Sequence, residues 1–154
     1  MITNKRITMS KQVLDIEQMK HLKELGVDTS KASAEEYIIS ETESYCGYSR
    51  SIVVIDGYIE NYIEENKTFT LQDILDLLPT HISDNSGSIN ILNIEQQIQD
   101  CTRVWNISYL STSSFIKIVS SINNEFIDAA YEMLCWCAEN GYLKQMNHDT
   151  RRIP

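Results

Sequence analysis

The chain has 154 residues, 42% of them hydrophobic and 23% charged, which excludes the composition of disorder and gives one domain a core that removes roughly 70% of the extended surface from water. Thirteen Lys and Arg against 22 Asp and Glu leave a formal charge of -9, so the average field repels DNA, RNA and anionic membranes, and a nucleic-acid partner would need a local basic patch. No apolar run approaches the roughly 20 residues of a membrane span, and the opening MITNKRITMSKQ lacks the apolar stretch of a signal peptide, so the cytoplasm is the expected compartment and no membrane partner is expected.

The first expected element is a helix. Residues 1–12, with Lys5, Arg6 and Lys11, read as a flexible extension before a single domain over 13–143. Asp15 is then a good N-cap, Gln18 completes a capping box, and Leu14 and Met19 take the two positions of a hydrophobic staple. Ile16, Met19, Leu22 and Leu25 form the buried stripe, Gly26 ends the helix, and Val27 folds back on Leu22.

Tyr37 to Ser40 reads as strand. The stretch SIVVIDGYIENYI carries Asp56-Gly57, whose tolerance of positive φ predicts a type I′ hairpin turn. Its second arm, Tyr58 to Glu65, also fits a short helix, since Ile59, Tyr62 and Ile63 suit that period. A second helix follows in FTLQDILDLLP, with Thr70 as N-cap, Asp73 three residues on, Phe69 stapled against Ile74, and Pro79 as the stop.

Ser88 to Ile94, Arg103 to Leu110 and Ser114 to Ser120 read as an antiparallel meander. Along the middle segment Trp105, Ile107 and Tyr109 share a face with Arg103, while Val104, Asn106, Ser108 and Leu110 take the other. The third helix runs from a cap at Asn123 or Asn124 through FIDAAYEMLCWCAEN to Gly141, with Glu125, Asp128, Glu132 and Glu139 on one narrow stripe. Residues 144–154 form a polar tail with Lys144, Arg151 and Arg152. The expected class is therefore α+β, three helices on an antiparallel sheet in the order α-ββ-α-βββ-α.

Little in this pattern is chemical. Cys135 and Cys137 lie two apart on a helix and point about 200° away from each other, so they cannot chelate one ion together. Acidic neighbours would also raise the Cys135 thiol pKa, and both cysteines read as packing groups. Cys46 and Cys101 make no CxxC motif, and a bridge between them stays open. His21, His81 and His148 share no local ligand motif, and the five glycines form no phosphate-cradling run, so no cofactor and no metal are expected. A dispersed Cys46, His81 and carboxylate grouping is the best catalytic candidate. KHLKELGVDTSKAS has the rhythm of a helix-turn-helix start, but the acidic, β-prone AEEYIISETE stands where a recognition helix should follow.

Three segments, LDIEQMKHLKELGVDTSKAS, FTLQDILDLLP and IDAAYEMLCWCAENGY, resemble a family of small uncharacterised proteins encoded by anaerobic gut bacteria, often in phage-like or transferable elements. The resemblance covers about half of the chain and implies an accessory cytoplasmic protein with no catalytic residues to carry over. It also places the usual start near Met9.

The leading expectation is a non-catalytic protein-interaction or regulatory module. Tyr45, Tyr48, Tyr58, Tyr62, Trp105 and Tyr109 are its candidate interface aromatics, although residues of this type serve equally as core. A small enzyme with a dispersed site and a mobile-element protein assisting DNA processing are the alternatives.

Overall fold

The computed structural model describes residues 11–40, 49–55, 60, 62 and 64–143. In chain order the elements are α1 (Ile16–Glu24), β1 (Ala34–Ser40), β2 (Ser49–Ile55), β3 (Glu64–Thr68), α2 (Leu71–Leu77), β4 (His81–Ser83), β5 (Ile89–Gln99), β6 (Thr102–Ser111), β7 (Lys117–Asn123) and α3 (Phe126–Glu139). The class is α+β, as the sequence indicates. The strands divide between two antiparallel sheets, a three-stranded one ordered β2-β1-β3 and a four-stranded one ordered β4-β5-β6-β7.

The first two helices begin as their sequences specify. Gln18 donates its backbone N–H to Asp15 Oδ1 at 2.8 Å, and the Asp15 N–H donates to Gln18 Oε1 at 3.1 Å. Gly26 at φ +85° then reverses the chain, and the Val27 N–H donates to the Leu22 carbonyl at 3.0 Å. That bond answers an orphan carbonyl of the last turn, and φ near this value is open to glycine without steric cost. At α2 the Thr70 N–H donates to Asp73 Oδ2 at 2.9 Å and the Asp73 N–H to Thr70 Oγ1 at 3.2 Å. Helix α3 differs from expectation: Glu125, not Asn123 or Asn124, is the N-cap, with no side-chain capping bond. Asn123 instead accepts the Glu125 N–H at 3.0 Å, which uses its carbonyl in a turn one step before the helix.

The strand before the turn expected at Asp56-Gly57 is present, and its partner among the described residues is β1 rather than the expected second arm. Ser49–Ile55 pairs with β1 from Ala34↔Ile55 to Ser40↔Ser49. The other side of β1 pairs with β3, from Ala34↔Thr68 to Ile38↔Glu64. Residues 56–59 lie outside the described residues. Burial explains why β1 takes the centre, since it supplies the buried Ala34 and Tyr37, while the charged sequence EENKT of β3 suits an edge.

The four-stranded sheet is the expected meander with the short β4 added. A two-residue turn joins β5 to β6, with Asp100 at φ 50° and Cys101 at φ 61°. Both central residues of a type I′ turn need positive φ, and a cysteine in the usual glycine position hid the turn from sequence reading.

One face of this sheet carries Leu92, Trp105, Ile107, Tyr109 and Val119 into the main core, where they meet Ile74 and Leu78 of the α2 region and Ile127, Met133 and Leu134 of α3. Each fully buried side chain of this size stabilises the fold by about 1.5–3 kcal/mol relative to exposure. Ser121 Oγ donates to the Ala129 carbonyl at 2.9 Å and to Glu132 at 2.8 Å, pinning α3 to β7. The acidic stripe of α3 is therefore partly structural. Asp128 accepts from Lys11 Nζ at 2.8 Å and from Gln18 Nε2 at 2.9 Å, so Lys11, expected in a flexible extension, ties α1 to α3.

Candidate interaction surface

The helices cover one face of the β4–β7 sheet, and the strand alternation assigns the opposite face to the other half of each strand. Opposed residues in register share a face. Ile91 stands opposite Leu110, Asn93 opposite Ser108, and Glu95 opposite Asn106, while Asn106 and Ser108 in turn face Ile122 and Ser120. On this face the central-strand residues Val104, Asn106 and Ser108 are buried, whereas residues on the flanking strands are open.

Its apolar content is high for a surface. Ile89, Ile91, Ile118 and Ile122 are 49%, 44%, 46% and 45% exposed. Thr112 N–H donates to the Ile89 carbonyl at 3.1 Å, which brings the β6–β7 loop against the start of β5. That loop carries Phe115 at 76% and Ile116 at 65% exposure, with Phe115 held at φ 57°. A phenylalanine in the left-handed region is strained and gains no burial here.

The middle of the face is polar and closed. Lys117 reaches across β6 to form an ion pair with Glu95, which also accepts from Gln97 Nε2 at 2.7 Å. The lysine bond holds the Glu95 carboxyl below its usual range. The register carries the lysine stem over the Ser108 row. Ser108 and Asn106 are 0% and 3% exposed, and Ser108 Oγ and Asn106 Oδ1 have no hydrogen-bond partner among the described residues. Buried polar atoms without partners cost about 1–3 kcal/mol each, so the small polar residues of the central strand oppose stability.

The residues singled out from sequence fall in several places. Tyr45, Tyr48, Tyr58, Cys46 and His148 lie outside the described residues. Tyr62 is exposed, with its ring 5.0 Å from that of Tyr37. The Tyr37 hydroxyl donates to Glu35, and mainly for that reason its pKa is pushed up to about 12. Trp105 stacks on Phe126 with centroids 4.1 Å apart, at the edge of the core. Tyr109 is fully buried and donates to the Pro79 carbonyl at 2.7 Å, so its ring belongs to the core. His81 is exposed on β4, its Nδ1 3.2 Å from Thr80 Oγ1.

The structure assembles one cysteine–histidine grouping the sequence did not indicate. Cys135 Sγ lies 3.7 Å from His21 Nδ1, and the Tyr131 hydroxyl lies 2.7 Å from the same nitrogen. A nucleophile in this arrangement would need a thiol with a lowered pKa. Burial instead pushes the Cys135 thiol up, and Glu139 and Glu132 add to that against the Tyr131 hydrogen bond. Cys137 is raised by burial to about 11 and contacts Tyr109. Both thiols are packing groups, which agrees with their sequence reading. No helical residue spacing announces the contact between α1 and α3 that brings His21 to Cys135.

A cleft of about 220 Å³ lies between α1 and the three-stranded sheet, bounded by Ile16, Met19, Lys20, Lys23, Glu36 and Thr68 among others. Among the described residues no cysteine or histidine lines it. Among the described residues no cluster of metal-ligating side chains is present and no helix is long and apolar enough to cross a membrane. Comparison with protein-family models, with curated proteins and with solved structures finds no match.

Proposed function

We propose that this chain is a non-catalytic interaction module, an accessory protein of the cytoplasm, that binds another protein through the open face of its four-stranded sheet. The observation carrying the proposal is the band of half-exposed isoleucines at positions 89, 91, 118 and 122, continued by Phe115 and Ile116. Large apolar side chains grouped in the open on one face are the kind of surface through which proteins meet partners. The polar centre suits the same role, since an interface core with a satisfied ion pair fixes register as well as area. The expected partner has a complementary apolar surface and carries no strong negative field, because the chain itself is at -9.

The test is comparative capture from the native host with the unaltered chain and with I91K/I122K. Both positions are about half exposed, so the variant keeps the fold. A partner recovered by the first and reduced at least about tenfold by the second, a loss of 1.4 kcal/mol or more, is the expected result. Equal recovery by both would refute the assignment of the face.

A further inference from the structure

We propose that β7 is a self-association edge, pairing antiparallel with β7 of a second copy about a two-fold axis at Ser120. The inference concerns the edge of the sheet; Ile118 and Ile122 belong to both surfaces, whereas Ile91 lies on β5 away from that edge and reports on the face alone. An edge strand offers every second N–H and C=O to any chain that can align with it, and proteins guard such edges with charge, proline, bulges or shortness. Two other edges here are guarded in those ways. Strand β4 has only 3 residues, and β3 carries Glu64, Glu65 and Lys67 within 5. Edge β2 adjoins residues outside the described ones.

Strand β7 lacks such guards over most of its length. It is 7 residues long, KIVSSIN, without proline. Its only charge, Lys117, sits at the end beside the register irregularity and is turned inward to Glu95. Among the described residues nothing pairs with its outer side.

The sequence of β7 is also matched to itself. With Ser120 opposite its own copy, Ile118 meets the second copy's Ile122 and Ile122 meets its Ile118. Opposed residues share a face with Cβ atoms about 4.5–5.5 Å apart, so two half-exposed isoleucine pairs would be buried on the open face. On the helix side Val119 meets Ser121. No like charges come opposite each other. Two carboxylates touch the strand, and both are engaged within their own sheet: Glu132 by Ser121 Oγ at 2.8 Å and Asn123 Nδ2 at 3.4 Å, and Glu95 by Lys117. The product is one continuous eight-stranded sheet, with a closed, isologous contact.

The test is sedimentation velocity on the full chain from about 10 to about 500 μM, the range where an interface near the lower limit of roughly 1,000 Å² associates. The expected result is reversible conversion to twice 17.7 kDa. A monomer throughout would overturn the proposal. The variant I118K/I122K sets two ammonium groups opposite each other across the axis and is expected to be monomeric. The variant I118K/I122E sets an ammonium opposite a carboxylate and is expected to restore the dimer. A dimer that survives I118K/I122K, or one that I118K/I122E fails to restore, would overturn the Ser120-centred pairing. Circular dichroism checks folding, and a measurement without those changes is kept beside them: S120C in a C46S/C101S background should form an intermolecular disulfide on mild oxidation, because paired strands place Cα atoms about 4.5–5.5 Å apart, within disulfide range. No cross-link from a folded variant would equally count against it.

Discussion

Replacing Asp73 with alanine removes the carboxylate on which two segments converge. Asp73 Oδ2 accepts from the Thr70 N–H at 2.9 Å, from the Ser33 N–H at 3.0 Å and from Ser33 Oγ at 2.7 Å. The first bond is half of the α2 capping box, for which loss costs about 1 kcal/mol. The other two fix the loop before β1 to the start of α2, and bonds to a charged acceptor contribute about 1.5–3 kcal/mol when sheltered. Because the group is only partly buried, solvent screening reduces this second part to about 1 kcal/mol. The expected loss is therefore about 2 kcal/mol, equivalent to a fall in Tm of about 4–8 °C for a chain of this size.

The loss should depend on pH in a defined direction. Burial alone would raise the Asp73 carboxyl, but the Ser33 hydroxyl and the Thr70 and Ser33 amides outweigh it, so its folded pKa lies below 3.8. A depressed carboxylate contributes stability that is present above its unfolded pKa and disappears as pH falls through the folded value. Urea unfolding of the two proteins at neutral pH and below pH 3.8 measures this. The gap should narrow on acidification. A gap below about 0.5 kcal/mol at neutral pH, or one that holds or widens in acid, would refute the reasoning.

Three further outcomes are expected. Tyr109→Phe leaves the Pro79 carbonyl without its buried donor and should destabilise by about 1–2 kcal/mol, whereas Ser108→Ala removes an unpartnered buried hydroxyl and should be neutral or stabilising by up to about 1 kcal/mol. Both are read from urea midpoints. Cys101→Gly relieves a cysteine at φ 61° and should stabilise by about 0.5–1 kcal/mol, measured by calorimetry. In thiol labelling followed by mass spectrometry at pH 8, exposed Cys101 should react before Cys135 and Cys137, which burial both hides and keeps protonated.

Much of the fold was legible because its signals are local. The Asp15/Gln18 and Thr70/Asp73 boxes, Gly26 with Val27, and the period-two alternation of RVWNISYL each depend on residues within one turn or one strand. What the sequence concealed is long-range. The pairing of β1 with both β2 and β3 depends on which strand brings Tyr37 and Ala34 into burial, not on the turn tendency of Asp56-Gly57. The turn at Asp100-Cys101 uses a positive φ that its residue types do not advertise.

The candidate surface was concealed for a related reason. Ile91, Ile118 and Ile122 read as ordinary strand residues, and only the one-sided placement of the helices leaves them uncovered. Aromatics drew attention instead, and Trp105 and Tyr109 pack toward the helices. The contact of Cys135 with His21, 114 residues apart, lies beyond any spacing rule.

The central claim is that the open face of the β4–β7 sheet meets another protein. Photo-cross-linking in the native host, with a photoreactive residue at Ile91 or Ile122 and, for comparison, at the exposed Gln72 of α2, tests it most directly. The account predicts the same protein adduct from both sheet positions and none from position 72. Adducts of equal yield from position 72, or none from either sheet position in the folded protein, would contradict it.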